Sequence, residues 1–281
     1  MGTVTALHRY PVKSTLGEAL TSVAVTERGL WGDRLAAVLD DGTGAVGSVK
    51  HPRKWGPLLR CRSMLTDSGT VVVQLPDGTV LSAGDPELDT RLSDLLGRPV
   101  SLSDTPPGHG GTLERAVPAY EGGVPETLRA TASTDATGET ITSGRVAPGT
   151  FFDYGRIHLI TTAALARLRS THPAGDFDPR RFRPNLVVDA PGGPGFPEDA
   201  WIDARLRIGE AALFRVVVPT PRCVVPTLGH GELPPGPGIM RAVAREHRVP
   251  VFDLGRLSCV GVYLDVLEPG TVQVGDPVTR Y

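Results

Sequence analysis

Short apolar runs separated by turn-forming residues most constrain how this chain can fold. The 281 residues include 34 glycines and 26 prolines, a high share that predicts frequent changes of chain direction. Two tripeptides, Asp40-Asp41-Gly42 and Pro76-Asp77-Gly78, are typical of hairpin turns, and apolar runs at 71–75 and 79–81 flank the second. We therefore expect a strand-rich α+β protein in which residues 1–80 form an antiparallel meander or a small barrel.

Helical spacing is confined to a few short segments. Asp85 and Pro86 suit the N-cap and first turn of a helix, leucines follow with helical periodicity, and Gly97 suits its C-cap. Thr161 and Thr162 offer N-caps for a second helix directly after an apolar run at 157–160. A third helix is predicted over 239–246.

The middle of the chain carries little periodic pattern. Residues 103–128 are rich in proline and glycine, so we interpret them as a connection between two halves, followed by an Asp- and Thr-rich loop near 131–142. This predicts an N-terminal domain over residues 1–120 and a second domain over residues 121–281.

Charge and cysteine usage argue against several classes of protein. The formal net charge of -2 gives no reason to expect nucleic acid or an anionic membrane as a partner. Three widely spaced cysteines form no disulfide framework, which suits a reducing cytoplasm. The N-terminus lacks a secretory apolar segment, and no run is long enough to span a bilayer. We expect a cytoplasmic protein with neither partner.

The stretch VVVPTPRCVVPTLGH, residues 216–230, holds the main candidate for chemistry. Pro219 and Pro221 predict a stiff loop at a strand end rather than a regular ladder. Cys223 follows Arg222, and a nearby guanidinium favours the thiolate, which is the form that acts as a nucleophile or metal ligand. A half-buried cysteine that behaves as a small apolar residue fits the same stretch.

A set of polar residues at strand ends accompanies this thiol. They are Lys13, Arg34, Arg183 and Arg222, with the hydroxyls of Ser14, Thr161 and Thr162. Singly, each suits a solvated charge or a helix cap. Together they suggest an anionic ligand, because arginine binds phosphate bidentately, and Asn185 can offer an amide edge to a heterocycle. With a soft thiolate, the set suits a transition metal carried by an organic, phosphate-bearing cofactor.

Other familiar motifs are weak. The glycines of Gly42-Thr-Gly-Ala-Val-Gly47 do not open a helix, so they are interpreted as turn residues rather than a dinucleotide site. The seven histidines are scattered, and their spacing does not indicate a zinc site.

Six stretches resemble one protein family and occur in that family's order. They are Tyr10–Ser14, Gly29–Arg34, His158–Thr162, Arg181–Asn185, Pro221–Cys223 and Gly275–Val278. The chain resembles a MOSC protein, named after the C-terminal domain of molybdenum cofactor sulfurase, with its preceding N-terminal β-barrel domain. It is similar to the mitochondrial amidoxime-reducing component and its bacterial relatives.

The resemblance implies an N-terminal β-barrel-like domain packed on a MOSC β-barrel domain with a few short helices. It also implies a bound molybdenum cofactor, a molybdopterin with a dithiolene and a phosphate tail. Cys223 would be the catalytic thiolate ligand of the metal. The cofactor would be held by Lys13, Ser14, Arg34, Thr161, Thr162, Arg183, Asn185 and Arg222.

The implied function is reduction of small N-hydroxylated or N-oxygenated compounds. A separate protein would donate electrons, because Cys61 and Cys259 cannot form an iron–sulfur site alone. Two alternatives stay open: a carrier of the cofactor or of sulfur, and cysteine-dependent sulfur transfer or carbon–sulfur cleavage without molybdenum. Pro226–His230 replace the Thr-Thr-Val-Asp segment of related reductases, so substrate-side contacts are expected to differ.

Overall fold

The computed structural model describes residues 2–117, 129, 132–135 and 138–281. The described part of the protein is strand-rich, which confirms the predicted class. The described part contains four short α-helices: α1 Pro52–Trp55, α2 Pro86–Leu96, α3 Thr162–Thr171 and α4 Ile239–Glu246. None of the described helices combines the length and the apolar character needed to cross a bilayer.

The strands are short apart from β16 and β18. In chain order they are β1 Gly2–Arg9, β2 Glu18–Leu20, β3 Ser22–Thr26, β4 Gly29–Leu30, β5 Ala37–Asp40, β6 Arg62–Leu65, β7 Val71–Gln74, β8 Val80–Ser82, β9 Val100–Ser103, β10 Thr112–Ala116, β11 Ala132–Thr134, β12 Thr140–Arg145, β13 Ile157–Thr161, β14 Leu186–Asp189, β15 Arg205–Ile208, β16 Ala212–Pro221, β17 Arg248–Pro250, β18 Arg256–Glu268, β19 Gly270–Gln273 and β20 Pro277–Arg280.

The chain divides into two compact units, each built from separate segments. The first unit comprises Met1–Arg9, Glu18–Asp33 and Gly155–Tyr281, and the second comprises Tyr10–Gly17 and Arg34–Tyr154. The boundary predicted between residues 120 and 121 lies outside the described residues and stays a prediction.

A closed barrel of seven strands forms the first unit. Its order is β13-β14-β1-β20-β15-β16-β18, and pairing of β18 with β13 closes the sheet. Closure leaves no exposed edge among these strands. Fully buried side chains that include Leu159, Leu186, Phe214 and Val262 belong to its core. Burying apolar side chains from every wall is the main driving force for this closure.

Smaller sheets and α2 form the second unit. Their strand orders are β6-β7-β8, β5-β9 and β10-β12-β11. The predicted hairpin around Pro76-Asp77-Gly78 is confirmed, since β7 and β8 pair in antiparallel register with Gln74 opposite Val80. A cluster of buried apolar side chains, among them Ala37, Leu113 and Phe151, packs under these strands.

The predicted helix ends are confirmed by cap geometry. The Asp85 carboxylate accepts a hydrogen bond from the Glu87 N–H, and Gly97 takes a left-handed conformation with φ 66° at the C-cap. The Thr161 hydroxyl caps α3 by accepting from the Ala164 N–H. The third helix, α4, has the bounds predicted for it.

Three predictions about strands are wrong. The expected connection at 103–128 contains β10 within its described part, and the expected loop near 131–142 contains β11 and the start of β12. These strands carry mostly polar side chains and lack the alternation of apolar residues that predicts a strand. They depend on backbone pairing with their neighbours. Residues 1–80 do not close a meander on themselves, because β1 pairs with β14 and β20 and β3 pairs with β19.

Candidate functional site

Strand β16 delivers the candidate thiol at its carboxyl end. The strand continues through Pro219 and Pro221, which lie opposite Val262 and Cys259 of β18. The prediction of a stiff loop outside the ladder is therefore wrong. Register shifts occur between Val216 and Val218 and between Pro219 and Pro221. They accommodate the two prolines, which have no backbone N–H to donate to the ladder.

We call residues 222–234 the cysteine loop. Within it, Cys223 differs from the two other cysteines of the chain because its side chain is partly exposed, whereas Cys61 and Cys259 are buried. Burial raises the pKa of the Cys61 thiol to about 11 and that of Cys259 to about 12. Both buried thiols therefore stay protonated near neutral pH, which leaves Cys223 as the candidate for ligation or reaction.

Arg222 anchors the start of the cysteine loop. Its Nη2 donates to the Phe182 carbonyl at 2.7 Å, and its backbone N–H donates to the Ser258 carbonyl at 2.8 Å. The guanidinium carbon lies 5.9 Å from the centre of the Phe182 ring. The buried Nε of Arg222 has no hydrogen-bond partner among the described residues. This arginine is held in place and keeps one buried donor for a ligand.

We call residues 178–185 the arginine turn. It contains the short 3-10 helix Pro179–Phe182, whose N-cap Asp178 accepts from the Arg180 N–H. Arg181 is fully buried; it donates from Nη1 to the Leu228 carbonyl at 3.2 Å and from Nη2 to the Pro234 carbonyl at 2.8 Å. These bonds tie the arginine turn to the cysteine loop.

Arg183 ends the 3-10 helix in a left-handed conformation, with φ 53° and ψ 48°. Among the described residues, five non-glycine residues have positive φ: Ser14, Arg34, Arg183, Asp203 and Phe252. Three of them are predicted cofactor-binding residues. Such conformations cost about 1 kcal/mol or more and cluster where function requires a fixed backbone. Three of the five strained positions are therefore also positions that the sequence predicts to bind the cofactor.

Thr161 and Thr162 are held by carboxylates of the first unit. The buried Thr161 hydroxyl donates to Glu198 Oε2 at 2.6 Å while it caps α3. The Thr162 hydroxyl donates to Asp189 Oδ1 at 2.6 Å. Burial raises the pKa of Glu198 to about 7 against the opposing Thr161 hydrogen bond. Cofactor binding by the two threonines stays a prediction.

Asn185 connects two barrel strands. Its Oδ1 accepts from the His158 N–H at 3.1 Å, and its Nδ2 donates to the His8 carbonyl at 3.2 Å. The residue is 1% exposed. In the described structure its amide supports the barrel wall, and contact with a cofactor stays a prediction.

His230 and Arg181 also lie in the candidate site, although the sequence pointed only to the stretches that contain them, Pro226–His230 and Arg181–Asn185, and to neither residue as a ligand. His230 Nδ1 lies 2.9 Å from the Leu228 carbonyl, while its buried Nε2 has no hydrogen-bond partner. Burial lowers the pKa of His230 to about 4, so the imidazole is neutral and Nε2 carries a lone pair. Within its stretch Arg181 carries no signal of its own, because it stands among other arginines and resembles a solvated charge.

The second unit holds the other predicted residues, and we call Lys13, Ser14, Lys50 and Asp153 the lysine set. Lys13 Nζ donates to the Phe151 carbonyl at 2.9 Å and to Asp153 Oδ1 at 2.7 Å, and Lys50 lies 2.7 Å from Asp153 Oδ2. Burial lowers the pKa of Lys13 to about 8, and Asp153 opposes that shift. Burial alone would raise the pKa of Asp153, but the two ammonium groups hold it well below its usual range.

Ser14 and Arg34 are likewise held within the second unit. The Ser14 hydroxyl donates to the Gly47 carbonyl at 3.1 Å and accepts from the Val49 N–H at 3.2 Å. The guanidinium carbon of Arg34 lies 4.6 Å from the ring centre of Tyr10 and 6.0 Å from that of Phe152.

The predicted residues therefore fall into two groups, one in each unit. In the first unit, the bond from Arg222 to Phe182 brings the cysteine loop beside the arginine turn that carries Arg183. A partly exposed thiol, a buried guanidinium donor without a partner and a strained arginine suit a ligand that combines a soft metal with anionic groups.

Family models match both halves of the sequence. The model described as the MOSC domain covers residues 148–279, and the model described as the MOSC N-terminal beta barrel domain covers residues 1–97. These matches confirm the resemblance stated from the motifs.

Two curated relatives are similar to this chain. Mitochondrial amidoxime reducing component 2 of Rattus norvegicus is 33% identical over 140 residues, which is 46% of this chain and 37% of the rat protein. Mitochondrial amidoxime-reducing component 1 of Mus musculus is 25% identical over 298 residues, which is 99% of this chain and 82% of the mouse protein. Among solved structures, the YuaD protein of Bacillus subtilis aligns over 99% of this chain and 93% of its own, with a TM-score of 0.45 and 12% identity.

Proposed function

The chain belongs to the family of proteins that carry a MOSC domain after a MOSC N-terminal beta barrel domain, and from that membership we propose a molybdenum-dependent reductase of N-hydroxylated compounds. The names of the rat and mouse relatives support the reaction class. The observation that carries the proposal is the partly exposed Cys223 on a loop held by Arg181 and Arg222.

The residues of the first unit fit the molybdenum cofactor. Cys223 would supply a thiolate, the ligand type that soft metals prefer. Arg222 keeps a buried Nε donor without a partner, and an anionic group of the cofactor would satisfy it. Arg183 adds a second guanidinium on a backbone fixed in the left-handed region. When bound, the cofactor would supply a metal that changes oxidation state as the substrate is reduced.

The chain's own residues would bind, orient and shield the cofactor. Arg181 fixes the cysteine loop to the arginine turn and thereby limits the positions open to Cys223. Fixed donors favour binding because little reorganisation is needed when the ligand arrives. Lys13, Ser14 and Arg34 remain proposed anchors, and Lys13 would exchange Asp153 for a phosphate oxygen. Thr161, Thr162 and Asn185 remain proposed contacts of the pterin. A cytoplasmic location and a separate electron-donor protein are part of the same proposal.

The test uses protein made in a host that synthesises the cofactor. We expect molybdenum and pterin in near-equal molar amounts, and reduction of benzamidoxime with a chemical electron donor. Cys223→Ala should lower that rate at least about 100-fold, because loss even of an outer partner of a metal ligand costs about 10–100-fold. The matched control Cys61→Ala, which removes a buried thiol, should retain the rate of the folded wild-type protein.

Two outcomes would contradict the proposal. Equal rates for wild type and Cys223→Ala would remove the thiolate from the mechanism. Wild-type protein that contains the cofactor, shows no turnover and passes the cofactor rapidly to an apo-enzyme would instead be a carrier.

A further inference from the structure

A second cluster of metal-binding side chains lies in the second unit and takes no part in the proposed reaction. His51 stands directly before α1, while Asp135 and Glu139 lie between β11 and β12. One ligand atom from each of these three residues lies within 4.8 Å of the other two. The sequence gives no hint of this cluster because more than eighty residues separate the histidine from the carboxylates.

Backbone hydrogen bonds fix the Asp135 carboxylate and bring Glu139 beside it. Asp135 donates its N–H to the Glu139 carbonyl at 2.9 Å, and Asp135 Oδ1 accepts from the Glu139 N–H at 2.8 Å. The Gly138 N–H donates to the Asp135 carbonyl at 3.0 Å. The Asp135 carboxylate is therefore placed before any ligand binds.

The imidazole of His51 is 1% exposed and lies between these carboxylates. Its Nε2 is 2.9 Å from Asp135 Oδ2, a normal hydrogen-bond distance. Its Nδ1 is 3.3 Å from Glu139 Oε2, yet both atoms are buried and neither has a hydrogen-bond partner. His51 Nδ1 and Glu139 Oε2 are thus two unsatisfied ligand atoms that face each other at the centre of the cluster.

A metal ion accounts for both contacts. Nitrogen and oxygen ligands at 2.0–2.1 Å from a tetrahedral metal are separated by about 3.3 Å, the distance found between Nδ1 and Oε2. A carboxylate on the opposite ring nitrogen is the usual partner that orients a metal-binding imidazole. Asp135 occupies that position.

Glu139 also has Arg53 as a neighbour. The Nε of Arg53 lies 3.8 Å from Glu139 Oε2, and this side chain is 62% exposed and therefore well hydrated. The rival explanation without metal is a doubly protonated His51 held by both carboxylates.

We propose that His51 and Glu139 ligate a divalent metal of the zinc class through Nδ1 and a carboxylate oxygen, with Asp135 orienting the imidazole. Imidazole and carboxylate suit zinc and cobalt(II). The ion would join the segment before α1 to the connection between β11 and β12 through these two protein ligands. The site is independent of the proposed reductase activity.

The experiment titrates zinc(II), and cobalt(II) as a spectroscopic probe, into chelator-treated full-length protein. We expect one bound equivalent, a higher melting temperature with zinc, and a cobalt spectrum without the thiolate charge-transfer band that ligation by Cys223 would produce. Glu139→Gln should weaken binding at least about 100-fold. Asp135→Asn should weaken it about 10–100-fold, as expected for an orienting partner. The exposed control Glu87→Gln should bind like wild type.

Three results would overturn the proposal. They are the absence of a bound equivalent in folded wild-type protein, unchanged affinity in Glu139→Gln, and a cobalt spectrum dominated by thiolate. Loss of stability in Glu139→Gln without any response of wild type to zinc would assign the cluster to the protonated histidine instead.

Discussion

The cysteine loop and the lysine set differ in whether their buried polar atoms have hydrogen-bond partners. In the lysine set, the Lys13 ammonium, the Asp153 carboxylate and the Ser14 hydroxyl all have partners within their own unit. In the cysteine loop, the buried Nε of Arg222 and the buried Nε2 of His230 have none. A buried polar atom without a partner costs about 1–3 kcal/mol, so the loop retains bonding capacity that a ligand would satisfy.

This difference implies different binding costs. A ligand that reaches the cysteine loop gains hydrogen bonds without breaking any that the structure shows for these two atoms. An anion that binds Lys13 has to replace Asp153 in a partly buried ion pair. Thr161 lies in the first unit, yet its hydroxyl has partners like the groups of the lysine set. It donates to Glu198 and accepts from the Ala164 N–H. The predictions below test the groups that have partners and then the strained Arg183, in order of expected size.

The largest effect on stability is expected for Glu198, the partner of Thr161. Its folded pKa of about 7 lies above the unfolded value of 4.5, so its protonated form stabilises the fold at low pH. That contribution is complete below pH 4.5 and is lost as pH rises through 7, a decrease of about 3 kcal/mol. Glu198→Gln cannot titrate and should flatten the decrease in urea-unfolding free energy between pH 5 and 8. The exposed control Glu210→Gln should keep the wild-type slope.

A residual slope should remain in Glu198→Gln. Burial alone would lower the pKa of His247. Asp199 raises that pKa above its usual value by accepting a hydrogen bond from the His247 ring at 2.7 Å. The stabilisation by this pair is present below pH 6.5 and is lost as pH rises through the folded pKa. A variant with the full wild-type slope would show that Glu198 is ionised in the folded protein.

Asp153→Asn should break the lysine set. Removing the carboxylate leaves Lys13 and Lys50 as neighbouring cations, and because Asp153 is partly exposed we expect a loss of about 2 kcal/mol. The depressed pKa of Asp153 means that its contribution is present above about pH 4 and is lost as pH falls further. Urea unfolding at pH 7 measures the loss, with the exposed Asp94→Asn as control. Equal stability of the two variants would mean that the lysine set is not a satisfied pair.

Arg183→Asn should have the smallest effect and the opposite sign. Asparagine adopts the left-handed region more readily than arginine, so relief of strain should stabilise the protein by about 0.5–1 kcal/mol. The same variant should retain less cofactor because it removes a cation. Arg183→Lys keeps a charge on a strained backbone and should show no gain in stability. A gain for lysine, or none for asparagine, would contradict the assignment of strain to this position.

Local chemistry made part of this molecule predictable. The cap residues Asp85, Gly97 and Thr161 act on the backbone next to them, and the expected helix ends follow from that short range. Cys223 was identifiable because a thiol beside an arginine after a proline-bounded strand is an unusual combination. These features depend on residues that are neighbours in the chain.

Long-range contacts made the rest unpredictable. Closure of the barrel depends on pairing between β13 and β18, which lie about a hundred residues apart. Pro219 and Pro221 stay in a ladder only because β18 shifts register to accommodate them. Arg181 reads as a solvated charge in the sequence, and its burial depends on the carbonyls of Leu228 and Pro234.

Molybdenum K-edge X-ray absorption of cofactor-loaded protein tests the central proposal most directly. Wild type should show one more sulfur neighbour of the metal than Cys223→Ala with the same pterin content, because the thiolate would be the ligand that the substitution removes. An identical sulfur count in the two proteins would contradict ligation by Cys223 and, with it, the assignment of the cysteine loop as the metal-binding element.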